Sequence, residues 1–468
     1  MTIFQISSIL LSFAALFAYI NYRFIKLPTT IGIMLLSLVL SLVLILLSNV
    51  GIELEEHAIK IVSTIDFDEA LLHGMLSFLL FAGALHVNID DLREQKWAIG
   101  ILATVGVIFS TFIVGTAIFY LLQWLKISVD YKYCLVFGAL ISPTDPIAVL
   151  SILKVAGAPK ALKTKITGES LFNDGVGVVV FLVLLGVATG NGEATTTHVI
   201  GLFSLEFFGG VLFGLGLGYL GFIMLSGVDN YQVEALITLA LVSGGYALAE
   251  VLHISAPIVV VVAGLFIGNK GRMYAMSENT RKRLDNFWEL IDEVLNAILF
   301  LLIGVEILIL TLTKQFMLAG IFAIPIVLLA RLICVGVPIE FLKKFRPFSP
   351  YTTMILTWGG LRGGISVALA LSIPAVPARE PLLVITYFVV VFSILVQGLT
   401  LKKVLVLTQK VTCKIHSLIF ISTHVCWICK LLSQGMSVFM LMHTIYVQMN
   451  FCVAQMYQLC RLLIPHHY

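Results

Sequence analysis

Polar and charged residues set inside long apolar stretches constrain this chain more than anything else in it. Thirteen segments of spanning length can be marked off, near residues 3–20, 29–48, 69–89, 97–123, 133–153, 166–189, 202–225, 231–252, 256–269, 287–312, 316–341, 351–373 and 383–405. A straight transmembrane helix needs about 20 apolar residues, and a tilted one more. Of 468 residues, 59% are hydrophobic and 12% charged, with a mean hydropathy of +1.05, far from the roughly 25% charged residues of a soluble domain. A soluble core cannot absorb that much apolar surface. The expected class is an all-α polytopic membrane protein with about 13 transmembrane helices in a lipid bilayer.

Loop charge gives an independent check, because Lys and Arg accumulate on the cytoplasmic side. One alternating set of loops holds sixteen basic residues, among them Arg23, Arg93, Lys160, Arg281 and Lys343; the other set holds five, Lys60, Lys126, Lys132, Lys314 and Arg379. This bias predicts an N-terminus outside and the end of the thirteenth span in the cytoplasm of a plasma or bacterial inner membrane. The first span has no basic flank ahead of it and no small-residue cleavage site, so it reads as retained. The net charge of +3 is mostly loop bias and gives no argument for nucleic acid. Cys134 and Cys334 lie in spans and behave as small apolar residues.

Three polar constellations break the apolar pattern. The first is Ser142-Pro143-Thr144-Asp145-Pro146 in the fifth span. Its prolines remove amide donors and free carbonyls one turn back, which breaks or kinks a helix. Asp145 before Pro146 also matches a helix start, so Asp145 reads either as part of an ion site or as the cap of a half-helix. Unwound backbone at membrane depth is tolerated where protein buries it or water reaches it, and paired half-helix ends are how transporters hold ions.

The second constellation is Glu169-Ser170-Leu171-Phe172-Asn173-Asp174 in the sixth span. A charged side chain near the bilayer centre costs roughly 2.5–3.5 kcal/mol on insertion scales, so it lines an ion path or pairs. Helical spacing puts Ser170 and Asp174 on one stripe and Glu169 and Asn173 on the next. Oxygen ligands suit a hard cation, so Asp174 with Ser170 would face sodium while Glu169 and Asn173 face the supporting structure. Asp174 is the predicted carrier, since one carboxylate holds a proton or a cation but not both.

The third is Trp358-Gly359-Gly360-Leu361-Arg362-Gly363-Gly364 in the twelfth span. Its glycines loosen the backbone and let helices approach closely. Arg362 needs a carboxylate, and Glu169 is the expected partner; the alternative is an Arg362 that snorkels to the membrane edge. The broken spans five and twelve are seven apart. That offset fits two six-helix repeats joined by the seventh span, the second inverted because seven is odd.

Together, in this order and spacing, these motifs resemble the monovalent cation:proton antiporters of the sodium/proton exchanger type, over about residues 5–405. The resemblance implies a transmembrane domain over residues 1–405 in which a core with two crossed, broken helices docks on a dimerisation subdomain, working as a homodimer. It implies that Asp174 binds sodium or the proton with Thr144 and Ser170 as further ligands, that Asp145 is associated with the site, and that Glu169 and Arg362 form a stabilising pair. An Asn-Asp pair such as Asn173-Asp174 goes with electroneutral exchange in that family. Some relatives carry a glutamate on the third span, where this chain has Ala82, with His86 nearby.

The function expected is secondary transport of sodium against protons for pH and cation homeostasis, with no enzymatic step and no cofactor. Potassium/proton exchange, lithium transport, and a channel or sensor on the same scaffold are the alternatives. Glu234, Glu250, Glu306, Arg331 and Glu340 read as edge or locally paired residues, and Asp292 with Glu293 as the lining of a cytoplasmic funnel. Residues 406–468 read as a divergent tail with no Asp or Glu, five of the seven Cys, and a fourteenth span as an option near 432–452.

Overall fold

The helices stop and restart largely where capping residues, proline and glycine demand it. The structure, a computed structural model, describes residues 3–48, 74–146, 149–150, 152–153, 160–190, 196–345, 348 and 351–408. Among these residues the regular elements are helices: α1 (Ile3–Ile20, prolonged by a wide turn at Asn21–Ile25), α2 (Thr29–Ser48), α3 (Leu76–Leu85), α4 (Ile89–Ala103), α5 (Val105–Trp124), α6 (Tyr131–Leu140), α7 (Lys160–Ala188), α8 (Thr196–Ser226), α9 (Tyr231–Val251), α10 (Ala256–Phe266), α11 (Glu278–Val305), α12 (Lys314–Leu342), α13 (Thr352–Trp358), α14 (Gly364–Leu371) and α15 (Arg379–Phe392). Asn88, Asp130, Asn230, Ser277 and Thr313 each accept a hydrogen bond from an amide of the turn that follows. Those amides have no partner within the helix, which is why such residues mark helix starts.

Nine helices among the described residues are long and apolar enough to cross a membrane. The other four expected segments depart from that standard for separate reasons. The third begins before residue 74, outside the described residues. The fifth and twelfth are each interrupted. The tenth starts nine residues earlier than expected, at Glu278, because Ser277 caps it and Glu278 pairs with Lys282 one turn on; its first half is charged and amphipathic. The fourth likewise starts early, at Ile89, and runs through Thr104 into α5. The tail beyond Thr408, with the optional fourteenth span, lies outside the described residues.

The helices pack in two groups. In one, α5 lies on α6, α7 on α4 and α6, and α12 on α5, α13 and α15; in the other, α10 lies on α3 and α8, and α11 on α2 and α3. Helix α7 touches α8 and α10 as well, so the helix that carries Asp174 lies along the seam between the groups.

Candidate functional site

The two interrupted spans meet at their unwound segments. After α6 the chain leaves helical geometry at Ser142–Pro146, and after α13 it does so at Gly359–Gly363 before α14 resumes. The Asp145 amide donates to the Leu361 carbonyl at 2.8 Å, so each break supplies a partner for backbone that the other exposes. The Leu150 amide donates to the Pro146 carbonyl at 2.7 Å, an i to i−4 hydrogen bond of the helical kind. Proline and glycine thus produce, at membrane depth, irregular backbone whose polar groups are met within the protein.

Arg362 completes this crossing. It is buried, and its Nη1 donates to the carbonyls of Ser142 at 2.6 Å and Pro143 at 2.8 Å. Those carbonyls follow directly on the end of α6, where partial negative charge gathers. The backbone amide of Arg362 donates to Ser393 Oγ at 2.9 Å, holding the segment against the turn that follows α15. The expected pair with Glu169 is not formed, and neither is a snorkelling side chain. Glu169 Oε1 instead faces Arg331 Nη1 of α12 at 2.5 Å, both side chains buried. The reason is steric as well as electrostatic: α12 packs on α5 and α13 and brings Arg331 to the break, while the Ser142 and Pro143 carbonyls occupy Arg362. Gly360 makes room for the guanidinium, since a Cβ there would come 2.6 Å from Arg331 Nε.

Around the fifth-span break, α7 presents Ser170, Asn173 and Asp174, all buried. Asn173 holds Thr144 twice: its Oδ1 accepts from the Thr144 amide at 3.2 Å, and its Nδ2 donates to Thr144 Oγ1 at 2.8 Å. Thr144 Oγ1 lies 3.0 Å from Ser170 Oγ. Asn173 is therefore not set apart with Glu169, as helical spacing suggested. The two stripes are neighbours, and an unwound segment lying across them touches both. Asp174 is 4% exposed, and its Oδ1 accepts no hydrogen bond from the protein. The charges that bear on it are Asp145, of like sign, and Arg362, of opposite sign. Asp145 is half-buried, and its carboxylate lies against Gly363, where any Cβ would collide with it.

Thr144, Asp145, Ser170, Asn173 and Asp174 are thus brought together, with Arg362 behind them, and Glu169 is turned away onto Arg331. Ala82 is buried in α3 and carries no carboxylate into this region; its carbonyl accepts from His86 Nδ1 at 2.8 Å, so the exposed histidine is spent on its own helix end. Sequence reasoning gave Arg331 no role in the site. The signal that marks it is a permanent charge in the middle of a long apolar helix, which demands a buried counter-charge.

Comparison with known proteins fits this geometry. Residues 11–407 match the family described as "Sodium/hydrogen exchanger, transmembrane". The chain belongs to that family. Among its relatives, the Na(+)/H(+) antiporter NhaP of Pseudomonas aeruginosa is 54% identical over 397 residues, covering 84% of this chain and 93% of that protein. The Na(+)/H(+) antiporter NhaH of Halobacillus dabanensis is 36% identical over 390 residues, covering 81% and 92%. The solved structure of the sodium proton antiporter MjNhaP1 from Methanocaldococcus jannaschii superposes with a TM-score of 0.66 at 18% identity, over 85% of this chain and 96% of that one. The exchanger family and the antiporter fold follow: a multi-pass, all-helical membrane protein.

Proposed function

We propose that this chain exchanges sodium for protons across the cell membrane, one cation for one proton, without enzymatic chemistry. The observation that carries the reading is Asp174, a buried carboxylate with an oxygen that no protein donor reaches, set next to a Thr144–Ser170 hydroxyl pair where two broken helices cross. Two relatives bearing the name Na(+)/H(+) antiporter support sodium over lithium or potassium as the cation. A proton neutralises the carboxylate covalently; a cation neutralises it by coordination, with the Ser170 and Thr144 hydroxyls as neutral oxygen ligands. The two states exclude each other, so exposing Asp174 to one side and then the other converts a proton gradient into cation movement. Asn173 clamps the loop that carries Thr144, and being an amide it adds no second titrating charge, in keeping with electroneutral exchange. Asp145, half-buried, adds negative potential that draws cations inward.

The scaffold roles fall to Arg362, which ties the two breaks, and to Glu169 with Arg331. Within the transmembrane domain over residues 1–405, the group containing the broken helices is the moving core and the other group the dimerisation subdomain of a homodimer, with the N-terminus outside and the end of the thirteenth span in the cytoplasm. Dye-reported exchange in proteoliposomes, with sodium, lithium and potassium compared across pH, tests the reading. Sodium-dependent proton movement with an apparent KM that rises as pH falls is the expected result, because protons compete for Asp174; ion flux without proton coupling overturns it. Ser170→Ala removes one neutral ligand, and its apparent KM for sodium should rise about fivefold, the equivalent of about 1 kcal/mol, with a smaller change in maximum rate. An unchanged KM would remove Ser170 from the ligand set.

A further inference from the structure

A second buried polar cluster lies away from the exchange site, where α11 ends. Glu306 follows Val305 at the turn after α11; it is 2% exposed, and neither carboxylate oxygen has a hydrogen-bond partner. Two groups on α15 stand within electrostatic reach of it: Arg379 acts on Glu306, and Glu306 on Tyr387. Tyr387 is also buried, with its hydroxyl unpartnered, and so is Arg379 Nε. The inventory is complementary, two acceptor oxygens on one side and an O–H and an N–H donor on the other. Native interiors leave few such groups unsatisfied, and these four atoms match in kind as acceptors and donors.

The two halves of the cluster are anchored to different helix groups. Ser41 Oγ of α2 donates to the Gly304 carbonyl at 3.1 Å, two residues before Glu306, so Glu306 is tied to α2 and α11. Arg379 Nη2 donates to the Leu371 carbonyl at 2.8 Å, at the end of α14. Helix α14 is the half-helix that leaves the break where Gly363 lies against Asp145. A displacement of the broken-helix group along the seam would therefore shift Arg379 and Tyr387 relative to Glu306.

We infer that Glu306, with Tyr387 and Arg379, is a latch across the seam, open in this structure and closed in the opposite state of the transport cycle. Its effect is to set the ratio of the two states. This rests on the exchange reading above, since only an alternating carrier has two such states. The binding-competent fraction on each side sets the apparent affinity there, so weakening the latch raises the KM on the side served by the latched state and lowers it on the other.

The test uses the full-length protein in membrane vesicles of defined orientation, with apparent sodium KM measured from both sides. Glu306→Gln and Tyr387→Phe conserve shape and each remove part of the contact. Both are expected to move the ratio of the two KM values in the same direction by about threefold or more, with the double variant going no further than the larger single one. A lower maximum rate with an unchanged ratio would make the cluster merely structural and overturn the latch, as would shifts of opposite sign. No coupled exchange in the unsubstituted protein would overturn the exchange reading together with it.

Discussion

Asp174→Asn is expected to reduce sodium-driven proton movement in proteoliposomes to the level of protein-free vesicles, while the purified protein keeps its fold. The two side chains have the same shape, so the packing of α7 against the fifth-span break is preserved. What changes is chemistry: an amide neither accepts a proton in the working pH range nor offers a cation a charged oxygen. Stability should hold or rise, because Asp174 Oδ1 makes no protein hydrogen bond that the substitution would remove and a buried unpaired charge is costly. The two measurements together decide the matter. Exchange persisting in a well-folded Asp174→Asn protein would take the transported proton away from this residue; lost exchange with a lowered melting temperature would point to a scaffold role instead.

The parts of this site that the sequence made legible are those governed by local chemistry. Pro143 and Pro146 have no amide to give a helix and Gly359, Gly360, Gly363 and Gly364 resist one, so both breaks could be located to a few residues. Helical spacing identified the face of α7 that carries Ser170 and Asp174. It could not say which helix lies opposite each face. Glu169 had two arginines available in apolar spans, and spacing within α7 carries no information about their relative position. The choice was made by the carbonyl end of α6, which engages Arg362, and by the gap at Gly360, which admits Arg331. Both are tertiary facts.

Span boundaries failed in a related way. Hydropathy marks where the bilayer ends, not where a helix ends, so the charged turns of α11 from Glu278 and the Asn88-capped start of α4 were read as loop although capping keeps them helical. Asn173 keeps a supporting role but holds Thr144 rather than standing apart with Glu169, because two stripes on one helix are only about 100° apart, within reach of a single unwound segment.

Breaking the Glu169–Arg331 pair is expected to be the most destabilising single change outside the ion site. Both side chains are buried, at 2% and 8% exposure, and removing one member of a buried pair leaves the other's charge without compensation, at a cost of about 3–5 kcal/mol. Arg331→Ala should therefore lower the yield and melting temperature of the purified protein sharply, and Glu169→Gln should do the same by stranding the guanidinium. Replacing both by apolar residues of similar volume should recover much of the loss, because a buried pair contributes little net stability once its own desolvation is counted. Arg362 offers the contrast. Its partners are the Ser142 and Pro143 carbonyls, so Arg362→Ala should loosen the crossing itself and depress exchange. In a double-mutant cycle Glu169 should couple strongly to Arg331 and weakly to Arg362; stronger coupling of Glu169 to Arg362 would restore the pairing that helical spacing alone suggested.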